Sequence, residues 1–271
     1  ITFENSFHGR SLAMISAAGS EKLIKGFEPI LSGFLQIEFN NIEKLLKAIS
    51  PSTAAIVLEP IQGEGGIITA HPNFLAEVKK ICVEKDILLI LDEIQCGVGR
   101  TGTLFAYEQH NITPDIMAIA KGIGGGFPLG ACLATERAAK GMGPGTHGST
   151  YGGNPLACAV GNAVMEIVNN QEFLNNVKDK SLLLKQKLAY LLDKHSNIFE
   201  EIRGVGLMMG IKCKIPNIEF VNAGFEKGIL TVPGGENTIR LLPPLNISNE
   251  EINFAIDMLD KCASDFKVKE G

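Results

Sequence analysis

Short unbroken apolar runs, each closed by a charged or glycine-rich segment, alternate with stretches in which apolar residues recur every three or four positions. The first kind reads as strands buried on both faces, the second as amphipathic helices. Runs at 54–58, 87–91, 116–120 and 129–134 predict strands. Between the first two, residues 72–86 place Phe74, Leu75, Val78, Ile81 and Cys82 on one helical stripe. Strand, helix and strand in that order make a βαβ unit and hence a parallel sheet. Asn40 and Glu43 have capping-box spacing and predict a helix through about Ile49, whereas residues 11–40 show little periodicity and read as loops with short strands. Helices at about 155–169 and 171–194 follow, the second carrying Leu174, Val177, Leu184, Leu188, Leu191 and Leu192. A boundary near 195 then divides a larger domain, 1–195, from a smaller α/β domain, 196–271. The latter has strands at 205–212, 229–232 and 238–242 and helices at about 217–227 and 249–265. Ser248 and Glu251 cap the last helix.

At 271 residues the chain is long enough for one large or two modest domains with real cores. A hydrophobic share of 45% with 20% charged residues is the balance of a soluble globular enzyme. The formal net charge of −5 gives no electrostatic reason to expect nucleic acid or an anionic membrane as partner. Six scattered cysteines without a C-x-x-C pair suit a reducing compartment and argue against a disulfide framework or a zinc site. No metal is expected. No run approaches a membrane span and no signal peptide is visible, so a cytoplasmic location is expected. The chain starts at Ile1 and runs straight into dense sequence, and so reads as a fragment.

The chemistry concentrates at strand ends. The run 87–91 stops at Asp92 and Glu93, and the run 116–120 stops at Lys121 before GIGGG, 29 positions later. In open α/β sheets ligands sit outside the carboxyl ends of the strands. An acid and a lysine so placed are what a pyridoxal phosphate (PLP) enzyme needs: the lysine for the Schiff base, the carboxylate to keep the pyridine nitrogen protonated. The rival is a nucleotide hydrolase using Asp92 and Glu93 to hold Mg²⁺. That class needs G-x-x-x-x-G-K-[ST], which is absent, and Lys121 precedes its glycines instead of following them. A dinucleotide fold is weaker still, since no strand runs into G-x-G-x-x-G. Glu59 and Glu64, in EPIQGEGG, face either a ligand or solvent. The glycine-rich segment 141–154, with Ser149, Thr150 and Tyr151, suits an anion or is a plain surface loop.

LDEIQCGVGRTG, AIAKGIGGGFPLGA, EPIQGEGG, FHGR and HGSTYGGNPLACA occur together, and the chain resembles the class III, fold-type I, PLP-dependent aminotransferases over nearly its whole length. Within them it is most similar to the branch acting on acetylornithine. The resemblance implies a mainly parallel sheet with helices on both faces, plus a smaller C-terminal α/β domain. It implies that Lys121 is catalytic, that Asp92 pairs with the pyridinium nitrogen, that Gln95 reaches the ring's phenolic oxygen and that Phe7 stacks on the ring. Glu93 and Ile94 belong to the same cofactor-binding stretch. Thr150 is expected on the phosphate of a neighbouring subunit, with Ser149 facing substrate, so a homodimer with its site at the interface is implied. Arg10, Glu59, Glu64 and Arg240 are expected to bind substrate. Arg240 would hold the α-carboxylate of glutamate, and Glu64 would mask it when the other substrate reacts. The implied reaction moves the δ-amino group of N2-acetyl-L-ornithine to 2-oxoglutarate, in arginine biosynthesis. Ornithine, succinylornithine, succinyl-diaminopimelate and GABA enzymes share most of these motifs. The family's upstream phosphate-cupping helix N-terminus would precede Ile1, so this chain alone is expected to bind PLP weakly or to be inactive.

Overall fold

A computed structural model describes residues 1–266. In chain order it contains β1 (Thr2–Phe3), α1 (Leu12–Ala18), α2 (Glu21–Ile24), β2 (Gln36–Ile37), α3 (Ile42–Ala48), β3 (Ala55–Leu58), β4 (Ile61–Gln62) and β5 (Ile68–Thr69). Next come α4 (Phe74–Lys85), β6 (Leu88–Asp92), β7 (Ile116–Ile119), β8 (Ala131–Ala134), α5 (Glu136–Ala139), α6 (Pro155–Val168) and α7 (Gln171–Lys194). The chain closes with β9 (Phe199–Val205), β10 (Met208–Cys213), α8 (Asn217–Glu226), β11 (Val232–Gly234), β12 (Thr238–Leu241) and α9 (Asn249–Asp265).

Two compact units emerge. The first comprises Ile1–Pro60, Ala70–Val98 and Thr103–Asn170; the second comprises Ile61–Thr69, Gly99–Gly102 and the chain from Gln171 onward. The sequence boundary near 195 falls at the far end of α7, whereas the compact units divide ahead of it. The reason is packing: Leu184, Leu188 and Leu191 of α7 lie in one cluster with Phe199, Phe220 and Leu259 of the second unit.

The sheet of the first unit has the order β3-β6-β7-β8. β3, β6 and β7 are parallel, with Leu58 opposite Leu91 and Asp92 opposite Ala118, and β8 closes the sheet antiparallel to β7. Leu89 and Leu91 of β6 are fully buried, against Leu75 and Val78 of α4 on one side of a core that also holds Ile56 and Leu58. Phe3, Phe39 and Phe74 meet edge to face at 5.4–5.7 Å, the geometry ring quadrupoles favour.

Two expectations change here. Residues 11–40 hold two short helices, α1 and α2, that their weak periodicity hid. α1 depends on a local signal instead: the Ser11 hydroxyl accepts from Met14 N–H, and Gly19 ends the helix in the left-handed region. The cap of α3 is Asn41, whose side chain accepts from Lys44 N–H; Asn40 is itself left-handed and accepts from His71 N–H instead.

The second unit is built on an antiparallel sheet ordered β11-β12-β10-β9, with α7, α8 and α9 contributing to one core. The single strand expected at 205–212 is a hairpin, β9 and β10, that turns at Gly206-Leu207. Gly206 takes φ +63°, and a Cβ there would lie 2.4 Å from Thr101 Cα, so only glycine fits. β11 and β12 turn through Glu236 and Asn237, both at positive φ, the geometry that matches strand twist. Ser248 and Glu251 form the reciprocal capping box on α9.

Ser248→Ala is expected to lower stability by about 1 kcal/mol. Gly206→Ala should cost on the order of 2–4 kcal/mol, combining strain with a backbone collision. Urea unfolding of the two variants beside the parent checks the order; equal losses would contradict it.

Candidate active site

β6 and β7 run side by side, and their carboxyl ends carry the two groups that chemistry needs. Asp92, on the last residue of β6, is buried and stands opposite Ala118 of β7. Lys121 follows two residues past the end of β7, opening a single 3-10 turn, with its side chain exposed. Its backbone is left-handed, at φ +49°, a conformation that costs a non-glycine residue of order 1–3 kcal/mol. Val98, also left-handed, packs behind this turn: a Cβ at Gly122 would sit 3.2 Å from Val98 Cβ.

Asp92 is oriented from two sides. Its Oδ1 accepts from Ile94 N–H at 3.1 Å, and its Oδ2 accepts from His8 Nδ1 at 2.9 Å. A carboxylate offers about four lone-pair sites, so acceptor capacity remains for a further donor. His8 is the residue that sequence reasoning missed. FHGR displayed the imidazole, but its partner lies 84 positions away and no spacing rule connects them. The buried Nε2 of His8 has no hydrogen-bond partner among the described residues.

Phe7 is half-buried, and its N–H donates to Glu59 Oε2 at 3.0 Å. Glu59 is itself buried at the end of β3. The Arg10 guanidinium is exposed and lies 5.8 Å over the Phe7 ring, within cation–π range. Gln95 is half-buried just past Ile94. Ser149 and Thr150 lie exposed in the loop before α6.

Glu93 has a different use. Its carboxylate is fully buried and accepts from the N–H groups of Ala106 (2.9 Å) and Tyr107 (2.8 Å), with the Cys96 thiol at 3.4 Å. Burial pushes this carboxyl up, while those two amides pull it back. Asp92, the last residue of β6, and Glu93, just beyond it, therefore engage separate partners. They do not converge as an Mg²⁺ pair would, and no cluster of three or more metal-ligating side chains occurs among the described residues.

The second unit carries the remaining two expected residues together. Arg240 of β12 is buried, and its Nη1 and Nη2 donate to Glu64 Oε1 and Oε2 at 2.5 and 2.9 Å. This is the bidentate fork that guanidinium and carboxylate make best. Glu64 sits in the loop between β4 and β5, which ends at Ile67, a fully buried residue held at φ +55°. Burying that side chain contributes about 2 kcal/mol, comparable to the about 1–3 kcal/mol of strain it offsets. Arg100, in the motif after Gln95, is structural: its Nη1 donates to Leu207 and Pro243 carbonyls at 3.0 and 2.5 Å. Burial pulls its guanidinium down to about 10.

Residues 1–263 match the family described as aminotransferase class-III. The chain belongs to the class III aminotransferase family. Its curated relatives include the acetylornithine aminotransferase of Mesorhizobium japonicum, 53% identical over 96% of this chain and 65% of that protein. Among solved structures, the ornithine aminotransferase of Toxoplasma gondii superposes with a TM-score of 0.92 at 32% identity, covering 97% of this chain and 63% of that one. The N-acetylornithine aminotransferase of Stenotrophomonas maltophilia gives 0.82 at 35% identity, over 97% and 65%. This class III chain thus spans about two thirds of the length of the relatives it matches. The fold is accordingly the fold-type I mixed α/β architecture.

Glu93→Ala leaves two buried N–H groups unpaired and is expected to destabilise by roughly 2–4 kcal/mol. Hydrogen exchange at Ala106 and Tyr107 should accelerate with it; unchanged exchange there would show that the loop is held by something else.

Proposed function

We propose that the protein to which this class III chain belongs is a PLP-dependent aminotransferase. In this reading it transfers the δ-amino group of N2-acetyl-L-ornithine to 2-oxoglutarate, yielding N-acetylglutamate 5-semialdehyde and glutamate, a step of arginine biosynthesis. The observation that carries the reading is the placement of Asp92 and Lys121 at the ends of two hydrogen-bonded parallel strands. The residues fit the cofactor: an exposed amine, a buried carboxylate with acceptor capacity left, and a buried imidazole nitrogen still unpaired beside it. PLP supplies an electron sink and an amine carrier when bound.

The roles proposed for the chain's own groups are those that its family resemblance implies. Lys121 Nζ would anchor the cofactor and, once released, would serve as the acid/base that takes the proton from the amine-bearing substrate carbon and returns it in the 1,3-shift. Asp92, steadied by His8 and by Ile94 N–H, holds a proton on the ring nitrogen. Gln95 would hold the cofactor's phenolic oxygen, and Phe7, fixed through its backbone by Glu59, would stack on its ring. Thr150, with Ser149 toward substrate, extends from its exposed loop to the phosphate held by a second subunit, in a homodimer. Glu93 acts within this stretch as the anchor of residues 106 and 107.

Arg240 receives the α-carboxylate of glutamate, and Arg10 a second carboxylate. Glu64 occupies Arg240 when the δ-amine of the other substrate must react, which lets one pocket serve two amines at different distances from their carboxylates. One support favours acetylornithine over ornithine, succinylornithine, succinyl-diaminopimelate or GABA: the first six curated relatives are acetylornithine aminotransferases at 50–54% identity. All six cysteines are free, which suits a cytoplasmic enzyme.

Borohydride treatment of the PLP-loaded protein should attach the cofactor covalently at Lys121, and Lys121→Ala should retain none. Attachment at another residue would refute the assignment. Glu64→Ala is expected to raise kcat/KM for glutamate relative to acetylornithine; an unchanged ratio would remove the masking role.

A further inference from the structure

We infer that Ile67, seated in a slot lined by two glycines, is a specificity-determining positioning residue that holds Glu64 over Arg240. This deepens, and rests on, the proposed masking of Arg240 by Glu64. The sheet register puts Gly210 of β10 directly between Arg203 of β9 and Arg240 of β12. Directly paired residues share a face. Two arginines therefore flank a position without a side chain, and Ile67 fills the gap. A Cβ at Gly210 would fall 2.9 Å from Ile67 Cγ1, with Thr238 Cγ2 beside it at 2.8 Å, and one at Gly204 would fall 3.0 Å from Ile67 Cγ2 as well as against the Met208 carbonyl. The isoleucine is fully buried in its left-handed conformation, which persists only where surroundings over-determine it.

The loop is tethered at its other end too. Gly235 N–H donates to the Glu64 carbonyl at 2.8 Å, and a Cβ at Gly66 would lie 2.5 Å from the Gly235 carbonyl oxygen. Arg203 Nη1 donates to Glu236 Oε2 at 2.7 Å and reaches the Gly66 carbonyl at 3.5 Å. The backbone of Glu64 is thus pinned from both sides, leaving only its side-chain torsions to uncover Arg240. A mask so preorganised closes at little entropic cost, and an incoming dicarboxylate must compete with it. Loosening the loop frees Arg240 for longer, so dicarboxylates bind more tightly. Damage to the fold alone would weaken binding, which separates the two effects.

The test uses glutarate, a five-carbon dicarboxylate with no amine to react, titrated calorimetrically into the PLP-loaded enzyme. The apparent Kd is the intrinsic Kd divided by the fraction with Arg240 uncovered, so Glu64→Ala should tighten binding by about tenfold and Ile67→Ala by about threefold. Ile67→Val, which keeps the branched side chain in the slot, should match the parent. Ile67→Ala combined with Glu64→Ala should bind no tighter than Glu64→Ala alone. Arg203→Gln, which cuts the second tether and leaves Ile67 itself unchanged, should shift binding in the same direction if Ile67→Ala does not fold. Tightening in Glu64→Ala without tightening in either loop variant would overturn the positioning role and leave the mask standing. No tightening in Glu64→Ala would overturn the mask and the positioning role together.

Discussion

The parallel ladder between β6 and β7 is the constraint on which the first unit turns. It sets Asp92 against Ala118 and thereby brings the carboxylate and the start of the Lys121 turn to one edge of the sheet. Side-chain direction in a strand has period two, so a slip of one residue would aim Asp92 where Glu93 now points. The slip is prevented by burial. Leu89 and Leu91 have no exposed surface, and moving either to the other face would pull it out of a packed core.

The end of β6 is also where two neighbouring carboxylates part to serve unlike purposes. Asp92 meets an imidazole and keeps acceptor capacity at the strand end; Glu93 turns inward and is consumed by two amides. Sequence reading saw an acidic pair and had to entertain a metal. The partners that each meets at the strand end, more than the identity of the residues, distinguish the two roles.

What could be read in advance follows a physical rule. Asp92 and Lys121 were legible because each ends an apolar run, and a run that stops at a charge states both strand and strand end. α1 was not legible: seven residues cannot display a helical period, and only its Ser11 cap and Gly19 stop mark it. β9 and β10 merged into one expected strand because their turn, Gly206-Leu207, lies inside an apolar stretch and lacks polar turn residues. Asn40 and Asn41 compete for one cap, and the helix uses the second while the first bends the chain. The His8–Asp92 contact and the Ile67 slot join residues through the fold alone, so no local pattern announces them. Glu64 and Arg240, 176 positions apart, came from family resemblance and not from spacing.

The left-handed backbone at Lys121 has an implication for how such a chain can vary. Glycine would occupy φ +49° without steric penalty, so resistance to unfolding on its own favours the absence of any side chain there. The lysine presents its amine against the preference of its own main chain. Variants selected only for thermal endurance would be free to drift away from it, becoming sturdier and losing the amine by the same substitution.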